Sequence, residues 1–112
     1  MSNVIVVPEK DNFRQDIFEG EVIYINESLG QPDLSRHNVS YAAPYLFNER
    51  RVLRVYHILE MRHVAPNYEI YLGNSFLVNP SWNDLNQNRR FEYHPLASFR
   101  FREERPGFLL PL

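Results

Sequence analysis

The chain has no cysteine, only four glycines, and a single lysine, Lys10, in 112 residues. Each scarcity removes a class of reading. Without thiols, disulfides and thiolate–metal sites are excluded. So few glycines leave little scope for the Gly-rich loops and backbone nests that cradle phosphate. There is also no nucleophile elbow and no paired-carboxylate signature. No apolar run approaches the roughly 18–20 residues needed to span a bilayer, so no membrane association is expected. The opening MSNVIVVPEKDN lacks a basic region followed by a long apolar one. No signal peptide is expected from it, and a cytoplasmic location follows by default.

The composition that remains is that of one globular domain, 1–112, with 44% hydrophobic and 23% charged residues. Eight Phe, seven Tyr and one Trp favour sheet over helical bundle. The net charge of −2 argues against coating nucleic acid by bulk attraction. The quality of the positive charge is distinctive, because eleven of the twelve cationic residues are Arg. A guanidinium stacks on flat rings and grips phosphate with two donors, which an ammonium cannot do.

Taken in order, NVIVV (3–7) reads as a strand ended by Pro8. Residues 11–18 suit a short helix with Asp11 as N-cap and Gly20 beyond its end. EVIYIN (21–26), apolar on both faces, reads as a central strand. Residues 27–38 (ESLGQPDLSRHN) carry turn chemistry and form a loop of about twelve residues, near the length at which loops tend to be functional. VSYAAPY (39–45) is extended, with Pro44 marking an edge or a strand end. Residues 51–63 suit a long strand, although a helical stripe through Val52, Val55, Tyr56 and Leu59 is also tolerable. As a strand, one face carries Leu53, Val55, His57, Leu59, Met61 and His63, and the wetter face Val52, Arg54, Tyr56, Ile58, Glu60 and Arg62. YEIYL and the run after Gly73-Asn74 read as a hairpin. Residues 79–90 form a polar loop, Phe91–Tyr93 re-enters the sheet, and Leu96–Phe101 adds a short turn or strand. The tail 106–112 is apolar and flanked by prolines, so it is no regular helix. The expected fold class is α+β: mainly antiparallel strands in a small bent sheet or barrel, with one or two short helices.

His57, Glu60 and His63 invite a metal reading that geometry does not support. On a strand Glu60 points away and the two His lie about 20 Å apart. On a helix His63 is rotated about 240° from His57. No metal and no cofactor are expected. His37, near Asp33, and His94, near Glu92, are each half of a possible acid–base pair, but no nucleophile can be assigned to either. A small hydrolase or nuclease is therefore a third-ranked reading, and a non-catalytic role is expected.

The stronger pattern is Arg interleaved with aromatic residues: Arg36, His37, Tyr41 and Tyr45 around the first loop; Arg54, Tyr56 and Arg62 on the wetter strand face; Trp82, Arg89, Arg90 and Tyr93 around the second loop. Such groups hold unpaired or flipped-out bases. Taken singly, each has an ordinary alternative, since tyrosines straddle sheet surfaces and arginines solvate strands.

The succession EVIYIN, VSYAAPY, VLRVYHILEM, YEIYLG and FEYHPLASF, spanning Glu21 to Phe101, resembles the PUA-like superfamily, especially its EVE and ASCH branches. That resemblance implies binding of RNA or of a modified, flipped-out DNA base in an aromatic-lined pocket. It makes Tyr24, Tyr41, Tyr45, Tyr56 and Trp82 pocket candidates. Arg36, Arg54, Arg89 and Arg90 would touch phosphates. The rival expectation is a protein-interaction or assembly subunit, including a homo-oligomer, built on the apolar side chains Phe108, Leu109, Leu110 and Leu112.

Overall fold

The structure, a computed structural model, describes residues 2–9, 22–46, 50–83, 90–101, 103–105 and 108–109. Its strands in chain order are β1 (Asn3–Glu9), β2 (Val22–Asn26), β3 (Val39–Leu46), β4 (Val52–Val64), β5 (Asn67–Trp82), β6 (Glu92–Pro95), β7 (Glu103–Arg105) and β8 (Phe108–Leu109). The first six form one sheet in the order β2-β5-β4-β3-β1-β6, and β7 and β8 pair antiparallel as a separate ribbon. The tail residues 108–109 are thus extended, in keeping with their prolines. All pairs in the large sheet are antiparallel except β1 with β3, so the sheet is mixed.

The long β4–β5 hairpin is the spine. Its β-branched and aromatic residues favour the pleated strand over the helix that the sequence also allowed. The two strands meet at Ala65-Pro66, whose carbonyl end is tied down by the Glu27 N–H donating to the Pro66 oxygen at 2.9 Å. The expected hairpin turn at Gly73-Asn74 is instead a bulge inside the continuous strand β5. Between Tyr56↔Ser75 and Ile58↔Leu72 the extra residue is on β5, and between Ile58↔Leu72 and Glu60↔Tyr71 it is Leu59 on β4. Bulges bend strands and increase twist. The sheet accordingly curls into a half-barrel, and β1 and β2, which are not neighbours in it, come within 8 Å of each other.

Each face of the curled sheet carries a core. Val4, Val6, Ala43, Val52, Val55, Trp82 and Phe99 pack on one. Ile5, Val7, Ile23, Ala42, Tyr56, Ile70 and Leu72 pack on the other. That explains why β1 is an unbroken apolar run: both of its faces are buried, as in parallel sheets. The same bulges spoil the simple two-face reading of β4. Ile58 and Met61, an odd number of residues apart, pack with one core, while Leu59 between them is 68% exposed.

Three strand assignments differ from expectation. The expected central strand EVIYIN is, over Val22–Asn26, an edge strand, because among the described residues β2 pairs only with β5, and its Tyr24 lies on the outer face, 54% exposed, while Ile23 and Ile25 are buried. VSYAAPY is interior, between β1 and β4. Pro44 is tolerated because the β4 ladder reaches only Tyr41↔His57 and Ala42↔Tyr56 and has ended before it. Pro8 does not end β1 for a similar reason, since β6 covers only Asn3–Val6. The polar second loop starts later than expected, as β5 runs on to Trp82. The only helical elements among the described residues are the single 3₁₀ turns Glu27–Leu29 and Leu96–Ser98. The α part of the expected α+β class rests on the candidate helix 11–18, which lies outside the described residues. Among the described residues no helix is long and apolar enough to cross a membrane.

Candidate functional site

The loop between β2 and β3 ends in a tightly bonded turn. The Asp33 carboxylate accepts the Arg36 N–H through Oδ1 at 3.0 Å, the local side-chain capping that Asp performs in turns. The His37 N–H donates to the Asp33 carbonyl at 3.3 Å and the Val39 N–H to the Leu34 carbonyl at 2.8 Å. Asn3 of β1 anchors the turn, its side-chain amide donating to the His37 carbonyl at 2.6 Å and its N–H to the Asn38 carbonyl at 2.9 Å. Asn38 itself has φ 53°, a left-handed conformation that Asn tolerates better than most residues.

Residues 90–95, which include β6, lie against this turn. The Tyr93 hydroxyl accepts the Asp33 N–H at 3.0 Å, and its ring lies flat against the His37 imidazole with centroids 4.0 Å apart and planes 12° from parallel. Phe91 meets Tyr93 edge-on at 5.8 Å. The Arg90 guanidinium lies 6.0 Å above the Phe91 ring. Gly30, at φ 104°, holds a left-handed backbone conformation that favours glycine, and it faces Arg90 Nη2. Between turn and strand is a cleft of about 360 Å³. Arg36 and Arg90 line it together with the aromatic residues His37, Phe91 and Tyr93, and Gln31 and Asp33 complete the wall. The arrangement offers cationic donors, an aromatic platform and a carboxylate within one concavity.

Two of the nine residues proposed from sequence therefore meet at this cleft, Arg36 and Arg90. Arg89 lies outside the described residues. The other six are in the strands of the large sheet. Tyr56, Tyr45 and Trp82 are 0, 4 and 5% exposed and pack in the two cores. Trp82 stacks on Phe99 at 5.0 Å and meets Tyr45 edge-on at 6.4 Å. Burial pushes the Tyr45 phenol above its ordinary range, against a smaller downward pull from the Arg50 charge. Half-buried Tyr41 rests on His57 at 4.6 Å. Half-buried Arg54 donates from Nη1 to Ser75 Oγ at 3.1 Å. Tyr24 faces outward at the sheet edge, far in the sheet order from β6.

Sequence reasoning placed His37 and Tyr93 in two separate groups, considered Asp33 only as a possible acid–base partner of His37, and did not single out Gln31 or Phe91. The available signal was the repetition of one composition, Arg beside aromatic residues, on both loops. What it could not supply is that β6 joins the sheet beside β1, which carries Tyr93 to the Asn3-anchored turn.

The histidines do not converge. His63 pairs with Glu27 and stacks on Tyr68 at 4.4 Å, Glu60 bonds Arg62 at 2.6 Å, and His57 packs edge-on to Phe76 at 5.1 Å. Among the described residues no three metal-capable side chains cluster. His94 Nε2 and Glu92 Oε1 do pair, at 2.8 Å, but half-buried and with His94 edge-on against Trp82 at 4.7 Å rather than at the cleft. The hydrogen bond between His37 and Asp33 is a backbone one.

Compared with known protein families, curated proteins and solved structures, the chain matches none.

Proposed function

We propose that this chain is a non-catalytic module that recognises an unpaired base in RNA or DNA at the Arg36–Arg90 cleft. The observation that carries the reading is the coincidence in one cleft of two guanidinium groups and a stacked His37–Tyr93 pair. Phosphate contacts position a strand, while a base is held by stacking and edge contacts. Arg36 and Arg90 take the first role. The outer side of the aromatic pair, braced by Phe91, takes the second. Because the net charge is −2, binding rests on these local contacts rather than on a basic surface. A PUA-like architecture is part of this proposal and rests on the residue pattern alone.

Fluorescence anisotropy against labelled single- and double-stranded DNA and RNA, at two salt concentrations, tests it. Two phosphate contacts on a single strand give a slope of log K against log salt of about −1.4, and Arg36→Gln or Arg90→Gln should each reduce it by about 0.7. Absence of binding to every strand at low salt would overturn the proposal. The apolar tail and its effect on oligomeric state would then be the reading to pursue.

A further inference from the structure

Asp33 holds more than its turn requires. One carboxylate oxygen, Oδ1, accepts the Arg36 N–H at 3.0 Å. The other makes no hydrogen bond among the described residues, and the side chain is exposed on the cleft wall. An asparagine would cap the turn equally well, because only one acceptor is used. A carboxylate adds a second acceptor and a negative charge, which is a liability in a cleft whose arginines are to hold phosphate. Within the cleft it suits a ligand group other than phosphate.

An ionised carboxylate is acceptor-only, so it selects for a ligand edge made of donors. Among the standard bases only guanine presents two adjacent N–H groups, N1–H and the 2-amino group, pointing the same way. Adenine and cytosine set their amino group beside a ring nitrogen acceptor, and uracil and thymine flank one N–H with two carbonyls; each would bring an acceptor against the carboxylate. The remaining guanine acceptors, O6 and N7, suit an Arg fork or an amide donor. With Arg36 and Arg90 given to phosphate, Gln31 is the amide donor on the cleft wall that suits them. We propose that the base taken by the cleft is guanine, read by Asp33 through its N1–H and 2-amino edge while stacked against the His37–Tyr93 pair. This rests on the nucleic-acid reading above.

The test uses the full chain and short oligothymidine strands carrying one central guanosine, inosine, adenosine or cytidine. Inosine keeps the guanine ring, O6 and N1–H and lacks only the 2-amino group. The guanosine strand should bind about tenfold tighter than the inosine strand. Asp33→Asn keeps an oxygen for the Arg36 N–H, so the turn should persist, as circular dichroism would verify. The variant should bring the guanosine-to-inosine ratio to within about twofold. Reading the ratio removes the general gain in affinity from losing a negative charge. Salt-sensitive binding with equal affinity for all four strands would overturn the guanine assignment and leave the nucleic-acid reading standing. A ratio unchanged in Asp33→Asn would overturn the role of Asp33. No binding to any strand would overturn both readings.

Discussion

The imidazole of His37 lies flat on the phenol of Tyr93, 4.0 Å away, and the same tyrosine's hydroxyl accepts the backbone N–H of Asp33. One side chain of β6 thus fixes both ends of the turn that carries Asp33, Arg36 and His37. Ring contact and hydrogen bond can be separated by substitution. Tyr93→Phe keeps the stack and removes the acceptor; since the Asp33 N–H is exposed and can turn to water, the cost should be about 0.5 kcal/mol. Tyr93→Ala removes both. Urea titrations should show the Phe variant close to wild type, with the Ala variant clearly weaker. In strand binding the Phe variant should retain most of the affinity, whereas the Ala variant should lose the contribution of one stacked base, about 1–3 kcal/mol.

The bulge on β5 makes a different prediction. A Cβ added at Gly73 would stand 2.9 Å from Leu59 Cδ2 and 3.2 Å from its Cγ. Leu59 is 68% exposed, and neither it nor Gly73 has a register partner in the β4–β5 pairing. Gly73→Ala should therefore force the leucine side chain aside, costing about 1 kcal/mol. Leu59→Ala alone should change stability by less than about 0.5 kcal/mol, as exposed substitutions generally do. The double variant should recover much of the Gly73→Ala loss, with a coupling of about 0.5–1 kcal/mol in a double-mutant cycle. Additive effects would mean that the two residues do not share this space.

The same bulges mark the limit of what could be read from the sequence. The strands themselves were legible, because NVIVV, EVIYIN, VSYAAPY and YEIYL are short period-two or continuous apolar runs rich in β-branched and aromatic residues. Their neighbours were not. Gly73-Asn74 looks the same as a hairpin turn or as a bulge, and only the partner strand decides. Pro44 looks like an edge residue until the β4 ladder is seen to stop before it. At the site, the Arg and aromatic enrichment of the two loops was visible, but their meeting depends on the β1–β6 pairing, a contact between residues some ninety positions apart in sequence. Pattern also drew Tyr56 and Trp82 towards a pocket, since an amphipathic aromatic reads the same in a core and on a platform.

Tyr56 tests that distinction directly. It is fully buried, in a core with Ile5, Ile23, Ile70 and Leu72. Tyr56→Ala should cost about 3–5 kcal/mol, the range for truncating a large buried aromatic. That is a large share of the 5–15 kcal/mol typical of a whole domain. Loss of strand binding in this variant should therefore be accompanied by a lowered urea midpoint and a weakened near-ultraviolet circular dichroism signal. Arg36→Gln, at an exposed position, should lose binding with stability within about 0.5 kcal/mol of wild type. If Tyr56→Ala kept wild-type stability while binding fell, Tyr56 would belong to the site and not to the core.

Alkaline stability follows from Tyr45. Its phenol is 4% exposed, and burial raises its pKa above the ordinary value of 10.0, more than the Arg50 charge lowers it. In the unfolded chain the phenol regains the ordinary value. Above that pH the unfolded state releases a proton that the folded state still holds, so the unfolded state binds fewer protons and stability falls with rising pH. The contribution is fully present below about pH 10 and is lost as the pH climbs through the raised folded value. Tyr71 is shifted the same way, chiefly by donating its hydroxyl to Glu69 at 2.6 Å, and it adds to the slope with more screening because it is nearer solvent. Urea midpoints measured from neutral to strongly alkaline pH should be flat up to about pH 10 and then fall. Tyr45→Phe should flatten the fall, and Tyr71→Phe should flatten it less. Tyrosinate absorbance of the folded protein should show fewer groups ionising at the ordinary pH in wild type than in the unfolded chain, with Tyr45 and Tyr71 among the late ones, and the deficit should shrink by one group in Tyr45→Phe. An alkaline slope identical in wild type and Tyr45→Phe would mean that the ring is reached by water.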